Sequence, residues 1–223
     1  MKIPKTIKEK IVYVIPAIIY IVPFLLKLVY YPISDDYLLT FVARGAYDNK
    51  PSSYLLVINK MLTSIWEKLY KFLPNFEWYA ITIILLVLFN SYVIFFILKK
   101  RFNKFVALAI VVMIEMFMLV WISFTVVGYY TAFTLGAFIF YYLRNEIKWY
   151  KAFIVIGVLT FGGFCFRDKA FISGFAAVLP IIIFSIKREN LKKTVLSGVI
   201  IGLLGLTLMG IEKYAYSPED VHS

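Results

Sequence analysis

The sequence predicts an all-α fold, a polytopic transmembrane helix bundle of about seven spans, on three observations. The 223 residues are 62% hydrophobic, whereas a soluble domain of this size is about 45–50% apolar. Apolar runs recur from one end of the chain to the other, many near the roughly twenty residues that cross a hydrocarbon layer of about 30 Å. Basic residues cluster between those runs. Backbone polar groups in lipid must be satisfied within their own segment, so the runs read as helices. None shows the strict alternation of a barrel strand.

The first run, residues 11–31, follows Lys2, Lys5, Lys8 and Lys10. It is longer than a secretory h-region and lacks a small-x-small cleavage site, so it reads as an uncleaved span. Pro16 and Pro23 are its kink points. Further spans fall at residues 78–98, 105–121, 126–143, 152–166, 170–186 and 195–211. The connectors after the even-numbered spans carry Lys99, Lys100, Arg101 and Lys104, then Arg144, Lys148 and Lys151, then Lys187, Arg188, Lys192 and Lys193. If every span crosses, these bases share one side with the N-terminal lysines. The positive-inside rule makes that side cytoplasmic and puts the C-terminus outside the cell membrane. The chain then forms a single transmembrane domain over residues 1–223, with one large outer loop at 32–77.

Within that loop, Ser34 is the expected N-cap of a helix running to about Ala43, with Gly45 as its stop. A second helix is expected to start near Ser52 or Ser53 and to end before Pro74. Leu55, Ile58, Leu62, Ile65, Leu69 and Phe72 recur at spacings of three and four, which puts them on one face. The expectation is an amphipathic helix lying in the outer interface, apolar face down, with Trp66 and Tyr70 at headgroup depth. Glu67 and Lys71 form an i,i+4 pair. In the last span Gly198 and Gly202 have GxxxG spacing, which predicts a close helix contact.

A formal net charge of +11 could signal nucleic-acid binding. The placement of the bases between apolar runs fits topology and anionic headgroups of membrane lipids instead. No phosphate loop or aromatic-basic RNA motif accompanies them. One cysteine, Cys165, and one histidine, His222, exclude an internal disulfide and a zinc site of the usual His/Cys type. Cys165 reads as a buried structural thiol.

Three groups of residues carry chemistry. Asp35 and Asp36 open the outer loop. Acids in a first helical turn favour the macrodipole, but Ser34 already supplies a cap, and two adjacent carboxylates repel. Their other reading is one general base for an acceptor hydroxyl, with a neighbour that positions it or binds a cation. Arg167 and Asp168 stand between the fifth and sixth spans on the same outer side. Arg167 either snorkels to headgroups or forks onto a lipid-linked phosphate; Arg44 and Lys50 are further candidates for that task. Glu115, in the third span, requires a partner, and Asn90 at comparable depth is the candidate. It is either a protonated acid between helices or part of a proton path.

The stretch Ser34-Asp35-Asp36-Tyr37, with the region from Phe124 and Thr125 to Gly136 and the step Phe166-Arg167, resembles the GT-C superfamily of membrane glycosyltransferases. The likeness is strongest to bacterial glucosyltransferase-like membrane proteins of cell-surface polysaccharide pathways and covers roughly residues 5–215. It implies an outer-face active site and a sugar donor carried on a polyprenyl phosphate. An acid in the first outer loop, Asp35 or Asp36 by position, would act as base while a glycan or lipid-linked acceptor attacks with inversion. The leaving phosphate would be stabilised by Arg167, Arg44 or a divalent cation. Family members are usually longer, so the resemblance implies the N-terminal part of a larger GT-C-like module, a truncated product or a shortened relative. Two other readings stand beside this one. A lipid-linked sugar flippase is favoured by Glu115 and disfavoured by the absence of an internal repeat. A non-catalytic partner subunit of a membrane assembly is the third.

Overall fold

Long apolar stretches make helices here, even with Pro16, Pro23 and Pro180 inside them, and short polar segments separate them. The computed structural model describes residues 5–26, 34–46, 50–52, 55 and 57–215. Among these residues there is no strand. The helices are α1 (Lys5–Leu25), α2 (Ser34–Arg44), α3 (Lys60–Phe72), α4 (Trp78–Leu98), α5 (Lys104–Val120), α6 (Phe124–Arg144), α7 (Trp149–Ile183) and α8 (Leu191–Ala215). A short 3-10 turn, Arg188–Asn190, precedes α8. Side-chain oxygens start three of the helices, each satisfying an orphan backbone donor. Asn59 accepts from Met61 N–H at 3.0 Å, Asn103 from Phe105 N–H at 3.1 Å and Ser123 from Val126 N–H at 3.2 Å.

Four stretches, α4, α6, α7 and Arg188–Tyr214, are long and apolar enough to cross a membrane. Large apolar side chains such as Met113, Val120, Leu203 and Leu206 are exposed on the helices, as lipid-facing residues must be. Tyr79, Ile83, Val87, Leu135, Ile156 and Leu159 are sealed inside.

The backbone leaves helical geometry inside α7, at Arg167 (φ −162°, ψ 92°). Laid in line, its 35 residues would reach roughly 52 Å at about 1.5 Å each. They do not lie in line. The Phe164 and Phe171 rings meet at 5.0 Å, and a Cβ on Gly163 would collide with the Phe171 ring. Residues 163 and 171 in a straight helix would be about 12 Å apart, so the chain doubles back at Arg167. Only a residue without a side chain at 163 lets Phe171 approach this closely. The second arm then runs alongside α6 in the same direction, because Gly128 packs on Arg167 and Ala170 whereas Gly136 packs on Val178.

Further pairs set the direction of the other helices. Phe96 stacks edgewise on Tyr141, Tyr92 donates to the Tyr13 carbonyl and Lys193 Nζ donates to the Tyr142 and Asn145 carbonyls. These contacts gather the connectors 99–103, 145–148 and 184–190 at one end of the bundle, with Lys99, Lys100, Arg101, Arg144, Lys148, Lys187 and Arg188. At the opposite end lie α2, α3, the start of α4, the start of α6, Arg167 and the end of α8. Asn59 joins three of these parts: its N–H donates to the Cys165 carbonyl at 2.9 Å, and its amide donates to the Leu208 carbonyl and Glu212.

Several expectations change. The first helix is described to Leu25; the rest of the expected span, residues 27–31, lies outside the described set. The second loop helix starts at Lys60, not near Ser52, because Asn59 is the side chain that caps. Its inward face is Leu62, Thr63, Trp66 and Tyr70, while Ile65 and Phe72 are exposed. Trp66 and Tyr70 are core residues rather than headgroup anchors. Trp66 packs on Tyr79 at 5.2 Å and Phe166 at 6.0 Å, and the larger aromatic surface outcompetes the aliphatic stripe for the protein interior. The Glu67–Lys71 pair forms at 2.6 Å. A Cβ at Gly198 or Gly202 would meet nothing within 4 Å, so the expected close contact does not form within the chain; Gly205, against Phe164, makes one instead.

Candidate functional site

Ser34 opens α2 and puts both acids in its first turn. Successive residues of a helix point about 100° apart, and the pair divides accordingly. Asp35 is exposed, and Asp36 is completely buried. Asp36 Oδ1 accepts from the Tyr79 hydroxyl and from the Phe124 backbone N–H at 3.2 Å. Phe124 is the first residue of α6, so the carboxylate sits at the positive end of that helix. Oδ2 has no hydrogen-bond partner. Burial is the main reason the Asp36 carboxyl is pushed up, from 3.8 to about 6; the Tyr79 and Phe124 bonds pull it down, and Asp35 pushes it up further. Thr40 closes the turn, its hydroxyl donating to the Asp36 carbonyl at 2.9 Å.

Arg167 also packs on Phe124. Its guanidinium lies over the Phe124 ring, 5.6 Å from the centroid, a cation–π distance. Asp36 and Arg167, 131 positions apart in the sequence, therefore meet on Phe124. Asp168 caps locally, accepting from the Lys169 N–H at 2.6 Å.

Arg44 joins through a relay. The Tyr79 N–H donates to the Tyr70 hydroxyl at 3.3 Å, Arg44 lies 5.9 Å from the Tyr70 ring centroid, and it forms an ion pair with Glu77. The stop after Arg44 is a Schellman turn. Gly45 (φ +84°) donates to the Val42 carbonyl and Ala46 to the Phe41 carbonyl, both at 3.0 Å. A Cβ at Gly45 would strike the Lys50 carbonyl, so the turn requires glycine. Lys50 itself is exposed and contributes its backbone here, apart from the Asp36–Phe124–Arg167 group.

Two cavities open at this end. The larger, about 520 Å³, is lined among others by Phe24, Tyr37, Phe41 and Arg44. Thr40 and Ala80, neighbours of the Asp36 network, form part of its wall. The smaller, about 240 Å³, holds Asn59, Asp168 and Glu212. Among the described residues no three His, Cys, Asp or Glu side chains group to hold a metal ion.

Tyr79, Tyr70, Glu77 and the backbone of Phe124 are neighbours of the candidate residues that residue patterns missed. Nothing near Tyr79 in the sequence points it at Asp36. The expected Asn90–Glu115 pair also does not form. The Asn90 amide donates to the Leu86 carbonyl at 2.7 Å and Thr131 at 3.1 Å, and both Glu115 carboxyl oxygens are left without a partner.

Fold and site define a multi-pass, helical membrane protein with a buried acid and an arginine at one end of its bundle. No family model, curated protein or solved structure matches the chain.

Proposed function

We propose that the chain is a membrane glycosyltransferase that moves a sugar from a polyprenyl-phosphate donor to a cell-surface glycan or lipid-linked acceptor. The observation that carries the reading is the convergence of α2, through Asp36, with Arg167 on Phe124. It sets an acidic first turn beside a guanidinium at the end of the bundle opposite the basic connectors. With about seven crossings, α1, α4, α5, α6, both arms of α7 and α8, that end faces outward and the N-terminus is cytoplasmic.

The two acids take different roles. Asp36 is a positioning residue: its bonds to Tyr79 and Phe124 hold the first turn of α2 in place. Asp35, exposed one residue earlier, is the general base. The acceptor oxygen attacks the anomeric carbon from the face opposite the phosphate, and its proton passes to the Asp35 carboxylate. The anomeric carbon–oxygen bond to phosphate breaks, and the electron pair leaves with the phosphate. Charge stabilisation of that leaving group falls to Arg167, with Arg44 at the larger cavity as the second cation.

Sugar transfer in membranes carrying Asp35→Asn or Asp36→Asn tests the reading; full activity in both variants removes it. One observation favours a second reading, a lipid-linked sugar flippase: Glu115 is wholly buried without a partner. Proton-coupled flux lost in Glu115→Gln and kept in Asp35→Asn would establish that one instead.

A further inference from the structure

Glu115 belongs to no part of the outer site. Its side chain is completely buried on α5, and neither carboxyl oxygen has a hydrogen-bond partner. Its surroundings are hydroxyls. Tyr20 of α1 donates to the backbone carbonyl of Glu115 at 3.2 Å. Ser91 of α4 and Tyr130 of α6 share a hydrogen bond at 3.3 Å, and Ser91 faces the carboxyl without closing a bond to it. Tyr92 of α4 also lies within electrostatic range. The titratable groups facing Glu115 are therefore Tyr20 from α1, Tyr92 from α4 and Tyr130 from α6, all neutral near neutral pH.

No lysine, arginine or histidine occurs in residues 11–26, 78–98, 105–120 or 124–143, the helical stretches around this carboxyl. An ionised carboxylate here would face no counter-charge in a medium that penalises an isolated ion heavily. A neutral acid needs only an acceptor for its O–H, and the Ser91 and Tyr130 oxygens supply one. An alkali cation, which needs several oxygen ligands, is the rival occupant that the test below separates; the Asn90 amide nitrogen is committed to the Leu86 carbonyl and Thr131, while its Oδ1 has no partner.

We propose that Glu115 is a proton-binding site built into the bundle, a carboxylic acid holding one exchangeable proton against the Ser91–Tyr130 hydroxyl pair. The ligand is the proton itself, and the site stands independently of the glycosyl-transfer reading. In the protonated form the acid offers its O–H to that pair, between α5, α4 and α6, without bringing a net charge into the bundle. Loss of the proton leaves a charge that no lysine, arginine or histidine of these helical stretches offsets.

The test uses the full chain in liposomes. Infrared difference spectra between the wild type and Glu115→Gln near neutral pH should show a protonated-acid carbonyl band that is lost in the variant and shifts in heavy water. A carboxylate band in its place overturns the proposal. Dicyclohexylcarbodiimide, which attacks protonated carboxyls in apolar surroundings, provides a second measurement on the wild type alone. Labelling mapped to Glu115, falling as the pH is raised and indifferent to sodium chloride, supports the site. Protection by sodium chloride but not by choline chloride overturns it in favour of an alkali-cation site.

Discussion

The carboxylate of Asp36 accepts the backbone N–H of Phe124 at 3.2 Å across 88 positions of sequence, so the first turn of α2 is tied directly to the first turn of α6. A loop helix anchored at a helix N-terminus is held by charge and hydrogen bonding together. The Tyr79 hydroxyl adds a second donor to the same oxygen.

Removing that anchor should be expensive. Asp36→Ala leaves the Tyr79 hydroxyl and the Phe124 N–H buried without their acceptor, at about 1–3 kcal/mol for each group. Asp36→Asn keeps an acceptor oxygen and should lose less. Thermal unfolding in detergent micelles checks the order; an Asp36→Ala chain as stable as the wild type would remove the anchor.

The pH dependence has a definite sign. The Asp36 carboxyl is raised from 3.8 to about 6 in the folded chain, so the native state binds more protons than the unfolded state between those values. Its contribution is fully present below about pH 4 and is lost as the pH rises through about 6, about 3 kcal/mol in all. Asp36→Asn should flatten this part of the stability–pH curve. Denaturant titrations of both chains across the window give the comparison.

Activity and stability should separate at Asp35 and Arg167. Asp35→Asn is expected to lower transfer by about 10²–10⁴-fold, the range of a lost general base. Arg167→Ala should lower it by about 10²-fold through lost charge stabilisation, with Arg167→Lys recovering only part because a point charge lacks the planar fork. Stability of Asp35→Asn should stay within about 0.5 kcal/mol. Initial rates beside melting curves for the same preparations decide it.

The reversal in α7 depends on an absent side chain. Gly163→Leu forces a branched group into the Phe171 ring and should destabilise by about 1–3 kcal/mol or more. Combining it with Phe171→Ala should recover part of that loss. A double variant no better than the sum of the single ones would show that the two residues do not share space.

Helix positions were largely legible because lipid demands long apolar runs. Residues 78–98 were read as a span and form one continuous helix, Trp78–Leu98. The chain reversal was legible too, since Arg167, Asp168 and Lys169 interrupt an apolar stretch. The start of α3 was not: the local pattern points to Ser52 or Ser53, whereas Asn59, tied through its N–H to the Cys165 carbonyl, is the residue that caps. The split between Asp35 and Asp36 was equally hidden. Which acid faces inward depends on Tyr79 and Phe124 arriving from elsewhere, and no local pattern encodes that meeting.

Cys165, the only thiol in the sequence, is 1% exposed. The native chain is thus already a quiet background for maleimide chemistry. Single cysteines introduced at positions such as 35 and 148 will report their own access to membrane-impermeant reagents, with no endogenous thiol to remove first.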